Sequence, residues 1–378
     1  MSGAQAEIGI LTFHCSDNFG AMLQAYALKT YLCSIGMQAD VIRYEPPYMT
    51  GRHWFIPYVP GSWKDGILLG MTTMLGGFRA HLKSEKLFLK KRANMRCFRE
   101  RYVIDKNHPR LLYSRGLKRL PYQYYIVGSD QIWNPEITFG LREAYFGAFE
   151  NSNKKRVVSY AASFGGDALA EEYDGEFSRL IKYVDAVSVR EEEAVPYVRR
   201  FYEGDITAVL DPVFFLEKEL WQKLERLPEK KGYIFVYLTE QNERLVDYVR
   251  ELAKERNLSV IEVGVGGFTS NAGFMVDHTA GPSEFLGYIH GADYVVSNSF
   301  HAIAFSIIFQ KKFLAFSHSN RGTRLRNILQ IHGLENRLCQ TGQEVEIDAF
   351  VDWDEVKRRT GENTRAAGDF LKNNIYIE

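Results

Sequence analysis

Short apolar runs alternate with longer helical patterns along almost the whole chain. One unit, at residues 293–316, shows the alternation most clearly. It consists of the β-branched run Tyr294–Val296, the small polar residues Ser297–Ser299, the apolar segment His301–Phe309 and the apolar run Phe313–Phe316. The two runs have strand length and the segment between them has helix length. The pattern therefore predicts a β-α-β unit with a polar loop at the N-terminus of its helix.

The same alternation predicts elements in both halves of the chain. Further strands are expected at Ile8–Phe13, Val41–Tyr44, Tyr124–Val127, Arg156–Ala161, Ala186–Val189, Tyr233–Leu238 and Val260–Val263. Helices are expected at 22–35 with Gly36 as the C′ residue, at 177–184, up to about Asn257, at 283–290, and from about Asp354 onward.

A stop signal, Asp211-Pro212, divides this pattern into two parts. We predict an N-terminal Rossmann-like domain at 1–212, with an insertion at about 46–120, and a C-terminal Rossmann-like domain at 213–378. We place the last helix in the second domain. Alternatively, this helix crosses back and packs on the first domain. The predicted fold class is α/β, with two Rossmann-like domains facing a cleft.

Composition narrows the class of protein. Hydrophobic residues make up 46% of the 378 residues, and 47 Lys plus Arg balance 47 Asp plus Glu, so no overall charge favours a nucleic-acid partner. The cysteines are scattered: Cys15, Cys33, Cys97 and Cys339. We expect a reduced, cytoplasmic setting with no metal site and no cofactor. The sequence shows no signal-like leader and no run of 18 apolar residues, and it leaves the oligomeric state open.

The predicted insertion allows two interpretations. Aromatic and apolar residues at Trp54–Leu75 precede Arg79–Arg101, where nine Lys or Arg accompany two Glu. Such a segment can lie against anionic lipid, which would make the protein peripheral at the inner face of the cytoplasmic membrane. We favour the alternative, a solvated basic helix that packs on its domain through four apolar side chains: Leu87, Leu89, Met95 and Phe98.

Polar residues collect where the predicted strands end. They are Asp17, Asn18, Ser129, Asp130, Gln131, Ser163, Arg190, Asn298, Ser299 and His301. Carboxyl ends of parallel strands meet at one edge, so these residues converge if both sheets face the same cleft. His301 lies in the first turn of its helix, a position that favours a bound anion, phosphate above all. Gly20 fits equally well as a point of close approach to a ligand or as a tight turn.

The set provides donors for an anion, one histidine and two carboxylates, without a Walker loop or a nucleophile elbow. It therefore favours group transfer that involves a phosphorylated small molecule.

Three motifs together resemble the polysaccharide pyruvyl transferase family. They are Asn18-Phe19-Gly20-Ala21 with the following Leu23–Leu28, the loop Gly128–Asn134, and Ser299-Phe300-His301 before an apolar helix. The resemblance covers nearly the whole chain and is poorest at 46–120. It implies a GT-B-like fold and transfer of pyruvate from phosphoenolpyruvate to sugar hydroxyls, usually as a ketal. The implied setting is the synthesis of surface polysaccharide such as capsule or exopolysaccharide, with a free or lipid-linked sugar acceptor.

Matched by motif, the resemblance implies that Arg190 and His301 contact phosphoenolpyruvate. Asp130 is our candidate base for the sugar hydroxyl, ahead of Asp17. Many bacterial members carry an arginine two residues before the histidine, where this chain has Ser299. The anion is then expected to depend on Arg190 and the helix N-terminus, or on Arg321 or Arg324. The other predicted substrate-binding residues are Asn18, Gly20, Ser129, Gln131, Ser163, Asn298 and Phe300.

Two other classes of function remain open. One is a GT-B glycosyltransferase that uses a nucleotide sugar. Binding of UDP or GDP, with no binding of phosphoenolpyruvate, would favour this class. The other is a non-catalytic glycan-binding relative, supported in the sequence only by Ser299. The acceptor sugar, its linkage and the stereochemistry of a ketal are left open by the sequence.

Overall fold

The computed structural model describes residues 6–49, 87, 89–264, 269–317, 322–340 and 345–376. Across these residues, twelve strands form two six-stranded parallel sheets. The strands of the first sheet are β1 (Ile8–Leu11), β2 (Ala39–Val41), β3 (Tyr124–Asp130), β4 (Arg156–Ala162), β5 (Ala186–Val189) and β6 (Ile206–Ala208). Those of the second are β7 (Tyr233–Tyr237), β8 (Ser259–Val263), β9 (Met275–Asp277), β10 (Tyr294–Ser297), β11 (Lys312–Phe316) and β12 (Leu338–Cys339).

Helices connect most of the strands. They are α1 (Phe19–Ser34), α2 (89–98), α3 (Pro135–Thr138), α4 (Asp174–Ile181), α5 (Val195–Arg199), α6 (Lys218–Gln222), α7 (Glu243–Arg256), α8 (Pro282–Gly291), α9 (Phe300–Ile308), α10 (Gly322–His332) and α11 (Trp353–Ile375). Side chains fix several of their ends. Asn242 Oδ1 accepts from Leu245 N at 3.0 Å at the start of α7, and Asn257 ends that helix in the left-handed conformation.

The strand orders place a switch point in each sheet. The first order is β2-β1-β3-β4-β5-β6, and the second is β12-β11-β10-β7-β8-β9. The second is the Rossmann order, in which the chain changes direction between β7 and β10. In the first sheet the change lies between β1 and β3. Ligands of open parallel sheets bind beyond the carboxyl ends of the strands at such points.

The predicted α/β fold with two Rossmann-like sheets is confirmed. Each predicted strand overlaps an observed one, and Gly36, with φ of 87°, is the C′ residue of α1 as predicted. The sequence pattern missed β6, β9 and β12, which have at most three residues each. β2 begins at Ala39, two residues earlier than expected, because Ala39–Val41 pairs with Ile8–Ile10. The assignment of separate domains to 1–212 and 213–378 stays a prediction.

The basic helix α2 differs from its predicted packing. Met95 and Phe98 are buried as expected, but Leu87 and Leu89 are 46% and 56% exposed. Polar residues of α2 reach the second sheet instead. Lys91 Nζ donates to Gly264 O at 2.7 Å, and Asn94 Nδ2 donates to Thr279 O at 2.8 Å.

The proposed membrane-contact segment Trp54–Leu75 lies outside the described residues. No helix in the described part of the chain is both long enough and apolar enough to cross a membrane.

The long last helix α11 packs against both α10 and β4. Its final turns lie on the first sheet, where Arg156 Nε donates to Asn374 O at 2.7 Å and the rings of Tyr124 and Tyr376 are 4.8 Å apart. Leu371 and Ile375 are fully buried in the same contact. Because β4 belongs to the first sheet and α10 connects β11 to β12 of the second, α11 ties the two halves together.

We expect Leu371→Ala to lower the free energy of unfolding by roughly 2–5 kcal/mol, because it leaves a cavity in a well-packed core. The neighbouring Lys372→Ala removes an exposed side chain and is the matched control, with an expected change within about 0.5 kcal/mol. Urea denaturation of both variants measures the difference. Equal midpoints would show that the end of α11 adds little to stability.

Candidate active site

A buried carboxylate, Asp211, lies at the centre of the site. It follows β6 and begins a short 3-10 turn at Pro212–Phe215, where its Oδ1 accepts from Val213 N at 3.1 Å. Asp211 is 1% exposed. Its second oxygen, Oδ2, points away from this turn and serves three other side chains.

Those three side chains come from both halves of the molecule. Arg190 Nη1, after β5, donates to Asp211 Oδ2 at 3.0 Å, and Ser129 Oγ, in β3, donates to it at 3.3 Å. His301, in the first turn of α9, places Nε2 at 3.6 Å from the same oxygen. That separation is within the range of an ion pair but is too long for a hydrogen bond. Asp211 therefore joins three strand ends of the first sheet to a helix of the second.

The charge of this carboxylate is stabilised by its neighbours. Burial by itself raises the pKa of Asp211, but His301 and Arg190, together with the Val213 amide, outweigh burial and lower the pKa to about 2. Asp211 is therefore ionised throughout the neutral pH range.

Arg190 is held on three sides. Its Nε donates to Glu191 Oε1 at 3.1 Å, and its guanidinium lies 4.6 Å from the centre of the Phe300 ring. Burial by itself lowers the pKa of Arg190, but Glu191 and Asp211 outweigh burial and raise it above its ordinary value. Asp130, which is also close enough to act through its charge, adds to this effect. The guanidinium is permanently charged and fixed in direction.

Three buried polar atoms at this point have no hydrogen-bond partner among the described residues. They are Arg190 Nη2, His301 Nε2 and Glu191 Oε2. Buried donors and acceptors in native proteins are nearly always paired, so an unpaired group needs an explanation. An arginine donor, an imidazole nitrogen and a carboxylate acceptor, at the carboxyl edge of a parallel sheet, are suited to a ligand that carries both anionic and hydroxyl oxygens.

Gly20 determines where the His301 ring can lie. A Cβ built on Gly20 would be 2.0 Å from His301 Nδ1, far inside van der Waals contact. The sequence left close approach to a ligand and a tight turn as alternatives for this glycine. The structure shows a different reason: the first turn of α1 is the surface against which the imidazole packs.

Several predicted binding residues make structural hydrogen bonds. Asn18 Oδ1 caps α1 through Ala21 N at 3.2 Å, and Gln131 Oε1 accepts from Asn134 Nδ2 at 2.9 Å. Ser163 Oγ donates to Glu191 Oε1 at 2.9 Å, which orients the carboxylate beside Arg190. The structure thus brings Ser163 into the site and gives Asn18 and Gln131 supporting roles in the loops around it.

The loop after β10 is tied to the loop after β7. Asn298 Oδ1 accepts from Thr239 N at 2.8 Å, and Asn298 Nδ2 donates to Glu240 O at 3.1 Å. Ser299 is the N-cap residue of α9, but its side chain makes no capping hydrogen bond. Arg324 lies half-buried on α10, and Arg321 lies outside the described residues.

Sequence reasoning did not include Asp211 or Glu191 in the site. Asp211-Pro212 was interpreted as a stop signal, and Glu191 was given no role. Both residues follow strands of the first sheet, as Arg190 does. Their position at a strand end is the sequence feature from which they could have been assigned to the site. In the described ranges, no group of three or more His, Cys, Asp or Glu side chains is arranged to hold a metal ion.

Comparison with known protein families gives one match. The family model described as polysaccharide pyruvyl transferase matches residues 18–320. No curated protein sequence matches the chain significantly.

Solved structures give a distant likeness. UDP-GlcNAc 2-epimerase from Neisseria meningitidis is 11% identical, with 98% of this chain and 94% of that chain covered and a TM-score of 0.45. The glycosyltransferase SnogD from Streptomyces nogalater is 11% identical, with coverages of 97% and 98% and a TM-score of 0.37. The E. coli heptosyltransferase WaaC is 12% identical, with coverages of 94% and 99% and a TM-score of 0.38. Likeness at this level does not indicate what the chain binds.

We expect Asp211→Asn to destabilise the protein by roughly 2 kcal/mol at neutral pH, given a folded pKa of about 2 against about 3.9 unfolded. Because the folded pKa is the lower one, this stabilisation is present above about pH 4 and is lost as the pH falls toward about 2. The difference between wild type and variant should therefore shrink in acid. Urea denaturation at about pH 7 and about pH 2.5 measures it.

The matched control is Asp247→Asn, which removes an exposed carboxylate that pairs with Arg250 on the same helix. Its effect should stay within about 0.5 kcal/mol at both pH values. A difference for Asp211→Asn that does not depend on pH would contradict the assigned ionisation.

Proposed function

Since the chain belongs to the polysaccharide pyruvyl transferase family, we propose that it transfers pyruvate from phosphoenolpyruvate to two hydroxyl groups of a sugar and forms a ketal. The acceptor is a sugar of a surface polysaccharide or of its precursor. The products are the pyruvylated sugar and inorganic phosphate, and no oxidant or reductant is needed.

The observation that carries this proposal is the pair of unpartnered donors beside Asp211. Arg190 Nη2 and His301 Nε2 are both buried and both lack a hydrogen-bond partner among the described residues. Phosphoenolpyruvate has a carboxylate and a phosphate ester on the same carbon atom, and each is a strong acceptor. An arginine fixed by two carboxylates and a ring can bind one of these groups in a defined direction.

The geometry places His301 between the proposed donor site and a carboxylate. Asp211 Oδ2 lies 3.6 Å from His301 Nε2, within the distance of an ion pair. Arg190 is paired with both Asp211 and Glu191.

In the proposed reaction His301 provides the first proton. His301 protonates the methylene carbon of phosphoenolpyruvate, which becomes a methyl group and leaves the adjacent carbon electron-poor. A sugar hydroxyl adds to that carbon and gives its proton to Asp130. The second hydroxyl displaces the phosphate, which leaves with the remaining hydroxyl proton. The carbon–oxygen bond to the phosphate and the π bond of the double bond are broken, and one carbon–hydrogen bond and two carbon–oxygen bonds are formed. Asp130 then loses its proton to solvent and His301 regains one, which restores the site.

Ser299 replaces the arginine that many bacterial members carry at this position. In its place the start of α9 offers first-turn amides that are not engaged by a side-chain cap. Such amides carry the positive end of the helix dipole and favour phosphate. We propose that phosphate binding relies on these amides and on Arg190.

The direct test combines phosphoenolpyruvate with a panel of sugar acceptors and measures phosphate release and pyruvylated product. His301→Ala should reduce turnover by about two to four orders of magnitude, the loss typical of a general acid. His108→Ala, which removes a partly exposed histidine of the first half, is the matched control and should retain activity.

Two results would contradict the proposal. Turnover of His301→Ala close to wild type, with an intact fold, would remove this residue from the chemistry. Binding of UDP or GDP with no binding of phosphoenolpyruvate would replace the pyruvyl transfer by glycosyl transfer. A thermal-shift titration with each ligand separates these outcomes.

We further expect Gly20→Ala to reduce turnover by about a hundredfold, because the new Cβ would displace the imidazole by an ångström or more. Gly361→Ala adds the same methyl group to an open position on α11, where a Cβ would meet nothing within 4 Å, and is the control. Comparison of kcat for the two variants measures the effect. Normal kcat in Gly20→Ala would show that the packed orientation of His301 is not required.

A further inference from the structure

A second buried carboxylate, Glu45, lies beyond the carboxyl end of β2 and gathers three arginines. We call Arg43, Glu45, Arg99 and Arg110 the Glu45 cluster. Arg43 Nε is 3.1 Å from Glu45 Oε1, Arg99 Nη2 is 3.6 Å from the same oxygen, and Arg110 Nε is 2.5 Å from Oε2. The arginines come from three separate segments of the chain, so the carboxylate holds them together.

The Glu45 cluster has an excess of positive charge. The ion pairs of all three arginines among the described residues end on Glu45, which leaves a net charge of plus two. Burial by itself raises the pKa of Glu45, but the arginines outweigh burial and lower it, so the carboxylate stays ionised. Each guanidinium uses only part of its five N–H groups on Glu45, and the Arg110 side chain is 33% exposed. The cluster can therefore bind a further anion.

Two buried atoms at the cluster lack a partner. Arg99 Nε has no hydrogen-bond partner among the described residues, and neither has His14 Nδ1. His14 is completely buried, with its other ring nitrogen 3.0 Å from Ile42 O. Burial and the nearby Arg99 lower the pKa of His14 to about 4, so its ring is neutral at pH 7. The unpaired Arg99 donor leaves the cluster with a hydrogen bond to give to a further acceptor.

The Glu45 cluster faces the same edge of the first sheet as the candidate active site. β2 and β3 lie on either side of β1, and neighbouring strands are about 4.8 Å apart, so their ends are about 10 Å apart. Ser129 and Asp130 lie at the end of β3, and Glu45 lies beyond the end of β2. A sugar that presents hydroxyls to Asp130 can extend over β1 to the arginines.

We propose that the Glu45 cluster binds a phosphate ester carried by the sugar acceptor. This inference rests on the proposed pyruvyl transfer and names the class of its acceptor, a sugar phosphate or sugar diphosphate. Phosphate oxygens match the fork of a guanidinium, and three arginines held by one carboxylate are preorganised for them. The ester either belongs to a soluble sugar phosphate or to a lipid-linked sugar diphosphate, and both have the same chemistry at the arginines.

The test uses inorganic pyrophosphate and phosphoenolpyruvate as two probes in calorimetric titrations of the whole chain. Arg110→Ala should weaken pyrophosphate binding tenfold or more, since a charged hydrogen bond is lost, and should leave phosphoenolpyruvate binding unchanged. His301→Ala should do the reverse. Arg250→Ala, which removes an exposed arginine from α7, controls for the loss of charge and should affect neither probe.

The results separate the two proposals. Pyrophosphate binding that is the same in Arg110→Ala and wild type, with unfolding temperatures equal, would overturn the phosphate site. If phosphoenolpyruvate fails to bind but pyrophosphate binding depends on Arg110, the phosphate site stands and the donor assignment fails. Arg110→Lys keeps the charge and should restore part of the affinity.

Two further arms identify the source of the ester. Wild type and Arg110→Ala are sedimented with neutral vesicles, with and without a polyprenyl diphosphate. Sedimentation that requires both the diphosphate and Arg110 assigns a lipid-linked acceptor. Arg110-dependent binding of glucose 1-phosphate, without sedimentation, assigns a soluble one. The absence of both would overturn the proposal that the acceptor carries the phosphate.

Discussion

The carboxylate of Asp211 is the contact on which the arrangement of the site depends. It accepts hydrogen bonds from Ser129 and Arg190 and faces the imidazole of His301. These groups come from three separate segments, two beside the first sheet and one on a helix of the second. A buried carboxylate without such partners would strongly destabilise the folded state. Asp211 therefore orients these side chains, and they in turn offset the free-energy cost of burying its charge. Structural stability and the geometry of the site are supplied here by one group.

Two buried carboxylates, Asp211 and Glu45, organise cations in different ways. At Asp211 a single arginine is paired with two carboxylates, and an imidazole lies at ion-pair distance from one of them. At Glu45 three arginines share one carboxylate and keep an excess of positive charge. In both, the charged groups are fixed before any ligand arrives, which reduces the reorganisation that binding requires.

The sequence predicted the parts of the fold that depend on local patterns. Strands such as Ala186–Val189 can be predicted because a run of apolar residues indicates burial. The end of α1 can be predicted because glycine readily adopts the left-handed conformation that ends a helix. The short strand β6 cannot, because none of its three residues is buried. Within the candidate site, Arg190 and His301 could be found by motif, whereas Asp211 could not, since its role arises from contacts with residues distant in sequence. Asp-Pro is a common turn signal, and nothing local separates a turn aspartate from one that binds an arginine.

The contact between Gly20 and His301 couples the position of the imidazole to the way the two halves meet. Gly20 belongs to the first helix of one half and His301 to a helix of the other. The position of the imidazole beside Asp211 is therefore set by the contact between α1 and α9. A substitution that shifts one of these helices against the other would change the 3.6 Å separation of His301 Nε2 from Asp211 Oδ2, even if it touched neither side chain.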